Sequence, residues 1–224
     1  MNFLPYDSRE DLAAGVAAAM AAQLQAAIAQ EGRATLCVAG GTTPAPAFAI
    51  LAAAPLDWSK VTILPTDERW VDEDDARSNA ALVKKHLMVG AAAQARYVSL
   101  YAPADTPDAA LAGLTQAIVP HLPLTVLLAG MGADLHTASL FPDSDRIDAA
   151  MRPDAPPLMV MTTPSQPEAR MTLTAPVLRA ARHQHIMMTG AEKRAVLEAL
   201  RADTPERAAP VSILLAHAQV HWAG

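Results

Sequence analysis

Cysteine is almost missing from this chain of 224 residues, because Cys37 is the only one. One cysteine cannot form an intramolecular disulfide, and a zinc site built from cysteines is excluded as well. A chain of this kind fits a reducing compartment, so we expect a cytoplasmic protein.

Runs of basic residues are missing too. The chain has 17 Lys and Arg residues against 23 Asp and Glu residues, which gives a formal net charge of −6. Binding of nucleic acid normally needs a clustered basic face, so that class of partner is not expected. A phosphorylated metabolite stays compatible with an acidic protein, because a few local cations and backbone N–H groups can hold one phosphate.

Signals for export and for membrane anchoring are also lacking. The first seven residues have neither a basic region nor an apolar one, and no later stretch of about 18 apolar residues is free of helix breakers. We therefore expect no membrane partner and no export. The sequence leaves open whether the chain is a monomer or a small homo-oligomer.

Aromatic residues make up only 4% of the chain, although 52% of it is hydrophobic. Much of the apolar content is alanine, which favours helices packed closely through small side chains. A length of 224 residues is at the upper end of one domain, and we expect a single domain spanning residues 1–224.

Hydrophobic spacing predicts alternating helices and strands. After the capping residue Ser8, apolar residues recur every four positions until Gly32, which indicates an amphipathic helix. Short apolar runs predict strands at residues 35–39, 61–64, 124–128, 158–161, 171–173 and 185–188. Helices are predicted after Pro44, from Ser78 towards Met88, from Thr106-Pro107, and at residues 176–181 and 192–202. This order predicts an α/β fold with a mostly parallel, Rossmann-like sheet that has helices on both faces.

Two segments after predicted strands could bind an anion. Gly40, Gly41 and Thr42 precede a helix, where glycines allow close approach, hydroxyls donate to phosphate oxygens and the helix N-terminus attracts negative charge. The second segment is a predicted loop that contains Asp67, Glu68 and Arg69. Arg69 could bind phosphate through two parallel hydrogen bonds, while Asp67 or Glu68 could orient it or contact sugar hydroxyls. Taken alone, each segment is more often structural than functional, the first as an ordinary turn and the second as an exposed charged loop.

Two further segments carry a candidate base and another cation. His136 follows a predicted strand and stands two positions after Asp134, so it could act as a general base oriented by that carboxylate. Ser139 is a less attractive nucleophile, because no G-x-S-x-G elbow surrounds it. Lys193 stands near the start of a predicted helix, where the helix dipole disfavours a cation and a bound anion would favour one.

Taken together and in this order, these segments resemble the 6-phosphogluconolactonase family, which is related to glucosamine-6-phosphate isomerases and deaminases. The most specific match is residues 130–142, which read GMGADLHTASLFP where the family reads close to GMGxDGHTASLFP. Further matches are Gly-Gly-Thr-Thr-Pro at 40–44, Asp-Glu-Arg at 67–69 with Ser-Asn at 78–79, Arg-Met-Thr-Leu-Thr at 170–174, and Thr189-Gly190 with Lys193. Arg69 and the continuation after His136 favour the lactonase branch over the deaminase branch.

The resemblance implies a function and a set of site residues. It implies hydrolysis of a phosphorylated sugar lactone, with His136 activating water and Asp134 orienting the imidazole. Phosphate binding falls to Gly40, Gly41, Thr42, Arg69 and Lys193, with Asp67 also at the substrate. No cofactor and no metal ion is expected, because a lactone carbonyl is already electrophilic.

One position departs from the most specific motif, since Leu135 replaces a glycine. A backbone that needs a positive φ there would strain a leucine. The motif around it is otherwise intact, so we expect Leu135 to adopt a negative φ.

Two other functions remain compatible with the sequence. An isomerase or deaminase acting on an amino sugar phosphate would keep the fold and use Asp67 as the base. A non-catalytic sugar-phosphate-binding domain would use the same pocket, although no helix-turn-helix segment or basic patch accompanies it here.

Overall fold

The computed structural model describes residues 1–224 and begins with a strand and a long helix. Strand β1 is Asn2–Pro5 and helix α1 is Arg9–Glu31. The Ser8 side chain accepts a hydrogen bond from the Asp11 N–H at 3.0 Å, and the helix ends at Gly32, which has a φ of 71°. Both ends of α1 are therefore where the sequence predicts them, because a hydroxyl satisfies a free N–H and glycine accepts the left-handed conformation.

Length and hydropathy alone would allow α1 to cross a membrane, and it is the one helix in the structure for which this holds. Here, however, the side chains on one face of α1 are buried. They include Leu12, Val16, Met20 and Leu24. Such a long apolar helix is thus a core element of this fold.

The remaining elements alternate as predicted over most of the chain. The strands are β2 Ala34–Val38, β3 Val61–Pro65, β4 Asp67–Arg69, β5 Arg96–Tyr97, β6 Val126–Ala129, β7 Leu158–Met161, β8 Arg170–Leu173, β9 His183–Thr189 and β10 Gln219–Ala223. The helices are α2 Ala45–Ala52, α3 Asn79–His86, α4 Pro107–Ile118, α5 Ile147–Met151, α6 Ala175–Arg179, α7 Ala191–Glu198 and α8 Ser212–Leu215. Helix α7 ends at Glu198, four residues before its predicted end.

Seven strands form one parallel sheet in the order β1-β10-β9-β6-β2-β3-β5. Successive residues of the central strands enter two separate apolar cores. Cys37 belongs to one core, whereas Leu36 and Val38 belong to the other. Both faces of the sheet are covered, which explains the continuous apolar runs in the sequence. The predicted α/β fold with a mostly parallel sheet is confirmed.

A second, antiparallel sheet of three strands has the order β4-β8-β7. The prediction of a loop at Asp67–Arg69 is wrong, because these residues pair with β8. Asp, Glu and Arg are not typical of short strands, and only the pairing with Arg170–Leu173 makes this segment a strand. Strands β1 and β10 were not predicted from the sequence, and they pair with each other across more than 200 residues of chain.

Two buried histidines, on the neighbouring strands β9 and β10, connect the parallel sheet to α1. His185 Nδ1 lies 2.9 Å from His221 Nε2, His185 Nε2 lies 2.8 Å from Gln23 Oε1, and His221 Nδ1 lies 2.9 Å from the Tyr6 hydroxyl. Burial lowers the pKa of His185 to about 3, with contributions from His221 and His183, and burial lowers the pKa of His221 to about 4. The network is therefore made of neutral imidazoles.

These histidines should make stability depend on pH. In the unfolded chain each takes up a proton near pH 6.5, whereas in the folded chain each stays neutral until about pH 4 or 3. Their contribution to the free energy of unfolding is therefore complete above pH 6.5. It is lost as the pH falls below that value, by up to about 1.4 kcal/mol per pH unit for each histidine. We expect His221→Gln to flatten this slope in urea unfolding between pH 7 and 4.5. The exposed His217→Gln is the matched control, and an unchanged slope for His221→Gln would contradict the assignment.

Candidate active site

A cleft of about 290 Å³ opens at the carboxyl ends of β2, β6 and β9. This is where parallel sheets bind ligands, because the loops after neighbouring strands converge there. The residues that line it come from both sheets. They are Ala39, Gly40, Gly41, Thr43, Pro44, Asp67, Arg69, Asn79, Leu128, Ala129, Gly130, Met131, Gly132, His136, Ala138, Phe141, Gln166, Arg170, Met187 and Lys193.

The glycine loop after β2 forms one wall of the cleft. Gly41 has a φ of 84°, which favours glycine, and a Cβ added to Gly40 would lie 1.9 Å from Asn79 Oδ1. Both glycines are thus required by the local geometry. Thr42 is exposed and does not line the cleft, whereas Thr43 does. The structure therefore brings Gly40 and Gly41 to the cleft but not Thr42.

His136 lines the cleft and forms a hydrogen-bonded pair with Asp134, which does not line it. The distance from His136 Nδ1 to Asp134 Oδ1 is 2.5 Å, and the same carboxylate oxygen accepts from the His136 backbone N–H at 3.2 Å. A carboxylate on Nδ1 favours the tautomer whose Nε2 carries no proton. The ring packs against Phe141 with 4.2 Å between centroids, which restricts its orientation. This arrangement provides a free imidazole nitrogen that can accept a proton.

Gly132 makes room for this pair. A Cβ added to Gly132 would lie 2.2 Å from His136 Nδ1 and 2.3 Å from Asp134 Oδ1, distances that real Cβ atoms do not show. The Gly132 carbonyl also accepts from the Leu135 N–H at 3.1 Å, which closes the turn between them. Glycine at this position is a steric requirement of the pair.

Leu135 adopts a φ of 66°, and nearby Ala138 has a φ of 50°. The expectation of a negative φ at Leu135 is therefore wrong. A left-handed conformation brings Cβ close to the following carbonyl oxygen and costs about 1–2 kcal/mol for a residue other than glycine. The Leu135 side chain is half-buried against the larger core, and its carbonyl accepts from the Val211 N–H at 3.0 Å. Packing thus offsets part of the strain.

Asp67 lies on the floor of the cleft, with 7% of its surface exposed. Its two carboxylate oxygens accept hydrogen bonds from the hydroxyls of Thr66 at 2.8 Å and Ser139 at 2.6 Å. Ser139 is fully buried and does not line the cleft, so it holds Asp67 in place.

Glu68, the residue next to Asp67, has a structural role at the N-terminus of α3. Its carboxylate accepts from the backbone N–H groups of Asn79 and Ala80 at 2.7 Å and of Arg69 at 2.8 Å. Burial raises the pKa of Glu68, while these backbone hydrogen bonds oppose the rise. Glu68 therefore caps the N-terminus of α3 and is not available to contact a sugar, which was one interpretation of the sequence.

Three cationic side chains line the cleft, and two of them, Arg69 and Lys193, were predicted from the sequence. Lys193 stands in the first turn of α7 and belongs to no ion pair. The third cation is Arg170, which belongs to the motif at residues 170–174 and for which the sequence predicted no role. Its position in a fully buried strand was the signal, because an arginine is rarely buried without a partner.

The cleft is also lined by three residues that were not predicted as site residues, which are Asn79, Gln166 and Phe141. Asn79 Nδ2 donates to the Asp67 carbonyl at 2.7 Å, while its buried Oδ1 has no hydrogen-bond partner. A free buried acceptor at the cleft suits a ligand hydroxyl. No group of three or more His, Cys, Asp and Glu side chains is placed to hold a metal ion.

The fold and the cleft define an α/β protein that can hold a small anionic molecule beside an oriented histidine. A family model described as glucosamine-6-phosphate isomerases/6-phosphogluconolactonase matches residues 7–222. A 6-phosphogluconolactonase from Pseudomonas aeruginosa is 43% identical over 97% of this chain and 92% of its own length. One from Pseudomonas putida is 40% identical over 91% of this chain and 85% of its own length.

Comparison with solved structures agrees with this result. The crystal structure of a 6-phosphogluconolactonase from Shewanella baltica superimposes with a TM-score of 0.96 at 31% identity, covering 100% of this chain and 98% of the other. The chain belongs to the family of glucosamine-6-phosphate isomerases and 6-phosphogluconolactonases.

The space beside Gly132 can be tested directly. We expect Gly132→Ala to lower kcat for lactone hydrolysis by at least about 10²-fold, because its Cβ would displace the His136–Asp134 pair, in which His136 is the expected general base. Gly130→Ala is the matched control in the same segment, since its Cβ would meet only the Ala39 Cβ at 3.8 Å. Steady-state kinetics on both folded variants are the measurement, and equal activities would show that the pair is not needed.

The positive φ at Leu135 predicts that glycine at this position is more stable than alanine, which reverses the usual order. At a negative φ, alanine is more stable than glycine by about 0.4–1 kcal/mol. At the observed φ of 66°, we expect Leu135→Gly to unfold at higher urea than Leu135→Ala, by about 1 kcal/mol in free energy. Comparing the two variants with each other removes the shared loss of leucine packing. The reverse order would contradict the left-handed conformation.

Proposed function

We propose that this chain hydrolyses 6-phospho-D-glucono-1,5-lactone to 6-phosphogluconate, the lactone-opening step of the oxidative pentose phosphate pathway, in the cytoplasm. The observation that carries the proposal is the His136–Asp134 hydrogen bond, which orients a histidine that lines a cleft together with three cations. The lactonase relatives at 43% and 40% identity support the same reaction. We take residues 1–224 as one catalytic domain.

In the proposed reaction, His136 Nε2 accepts a proton from a water molecule while the water oxygen attacks the lactone carbonyl carbon. A tetrahedral intermediate forms. The bond from this carbon to the ring oxygen then breaks, and the protonated Nε2 returns its proton to that oxygen as it leaves. The product is an open-chain acid, which ionises at neutral pH. Asp134 stabilises the imidazolium that exists between the two proton transfers.

The remote phosphate would hold the carbonyl near the base. Gly40 and Gly41 offer backbone at the cleft wall, and Arg69 and Lys193 offer positive charge. Binding energy from a group that does not react can fix the reacting carbon in place. Asp67 is held by Thr66 and Ser139 and can accept a hydrogen bond from a sugar hydroxyl.

An amino sugar phosphate isomerase or deaminase would use Asp67 as its base instead. The His136–Asp134 pair favours the lactonase, because that pair has a free nitrogen while both Asp67 oxygens already accept hydroxyl hydrogen bonds. A coupled assay for ammonia release from glucosamine 6-phosphate separates the two reactions.

The test of the proposal is acid release from freshly made 6-phosphogluconolactone, corrected for spontaneous opening. We expect His136→Ala to lower kcat by about 10²–10⁴-fold with little change in substrate binding, because a general base acts only on the chemical step. The control is His217→Ala, which removes an exposed histidine that does not line the cleft. Wild-type rates in His136→Ala would rule out the mechanism, and ammonia release without lactone hydrolysis would rule out the function.

A further inference from the structure

The carboxylate of Asp67 is held by two hydroxyl groups that come from different parts of the chain. The Thr66 hydroxyl donates to Asp67 Oδ1 at 2.8 Å, and the Ser139 hydroxyl donates to Asp67 Oδ2 at 2.6 Å. Thr66 is the neighbour of Asp67 in the sequence, whereas Ser139 belongs to the segment that carries His136. A carboxylate offers about four acceptor positions, so about two remain for a ligand in the cleft that Asp67 lines.

A tight turn at residues 137–140 directs Ser139 away from the cleft. The Leu140 N–H donates to the Thr137 carbonyl at 3.0 Å, which closes the turn. Ala138, the second residue of the turn, has a φ of 50°, a conformation that is costly for any residue with a Cβ. Ala138 lines the cleft, whereas Ser139 is fully buried behind it. The strained backbone thus accompanies a serine that points into the protein.

A second hydrogen bond attaches the same turn to the small antiparallel sheet. The Ser139 backbone N–H donates to Thr172 Oγ1 at 3.2 Å, and Thr172 of β8 is the strand partner of Asp67 of β4. Ser139 therefore contacts two paired residues, one through its side chain and one through its backbone. Because Ser139 follows His136 by three residues, this attachment fixes where the candidate base lies relative to Asp67.

We infer that Ser139 is a positioning residue for the reaction, because it fixes the Asp67 carboxylate relative to the imidazole of His136. The inference rests on the proposed lactonase function, in which Asp67 accepts a hydrogen bond from a sugar hydroxyl. A sugar held at Asp67 has its carbonyl carbon placed near the water that His136 activates. Without the Ser139 hydroxyl, Asp67 keeps only the hydrogen bond from Thr66, and its carboxylate is free to rotate. Ser139 does not line the cleft, so it acts through Asp67.

The first measurement is kcat/KM of Ser139→Ala for 6-phosphogluconolactone. We expect a loss of about 10- to 150-fold, the range for a lost hydrogen bond to a charged group. Ser144→Ala is the matched control, because Ser144 is also buried, its hydroxyl lies 2.7 Å from that of Thr163, and neither residue lines the cleft. It should lower the melting temperature and leave kcat/KM unchanged. Equal kcat/KM values for the two variants would overturn the inference.

Action through Asp67 makes a sharper prediction for a double variant. In an Asp67→Ala background, Ser139→Ala should change kcat/KM by less than about 2-fold, because no carboxylate is left to position. The backbone hydrogen bond to Thr172 is available in both variants, so it does not contribute to the comparison. If Ser139→Ala costs the same factor with and without the Asp67 carboxylate, Ser139 acts by another route and the inference is wrong.

Binding of 6-phosphogluconate, measured by calorimetry, gives a readout that does not depend on catalysis. We expect Ser139→Ala to weaken this binding and Ser144→Ala to leave it unchanged, because only Ser139 holds the carboxylate that contacts a hydroxyl. A lower melting temperature of Ser139→Ala with unchanged affinity and unchanged kcat/KM would make Ser139 a purely structural residue and overturn the inference. If the wild type binds 6-phosphogluconate with the help of Ser139 but hydrolyses no lactone, the positioning of Asp67 stands and the proposed function fails.

Discussion

The parallel pairing of β9, β6 and β2 brings the carboxyl ends of these three strands to the same edge of the sheet, and the cleft depends on that alignment. The loop after β2 contributes Gly40 and Gly41, the segment after β6 contributes His136, and the turn after β9 leads to Lys193. These residues are far apart in the sequence. They meet because both faces of the sheet are buried, which fixes the register of each strand strongly.

The small antiparallel sheet adds a set of polar residues that the parallel sheet alone would not position. Because Asp67–Arg69 is a strand, its successive side chains project to opposite sides of the small sheet. Asp67 and Arg69 reach the cleft, whereas Glu68 caps α3 and thereby holds Asn79 at the cleft floor. A short run of three charged residues therefore serves both the site and the fold.

The segment from Gly130 to Pro142 shows how tightly the backbone and the candidate chemistry are linked. Gly132 is required because a Cβ at this position would lie 2.2 Å from His136 Nδ1 and 2.3 Å from Asp134 Oδ1. Leu135, between the members of that pair, adopts a left-handed conformation although it is not a glycine. Strain of this kind persists where surrounding contacts determine the backbone, here the hydrogen bond to Val211 and the contact with the core.

The sequence by itself determined the α/β class, both ends of α1, the central strands and the importance of six residues that line the cleft, which are Gly40, Gly41, Asp67, Arg69, His136 and Lys193. Those features depend on local rules, such as apolar runs, capping residues and glycine turns, or on a specific motif such as residues 130–142. Only the tertiary structure decided that Asp67–Arg69 is a strand, that Thr42 lies outside the cleft, that Leu135 has a positive φ and that Arg170 faces Arg69. The physical reason is that each of these depends on residues distant in the chain: the strand exists through its pairing with β8, and the opposition of the two arginines exists through its register.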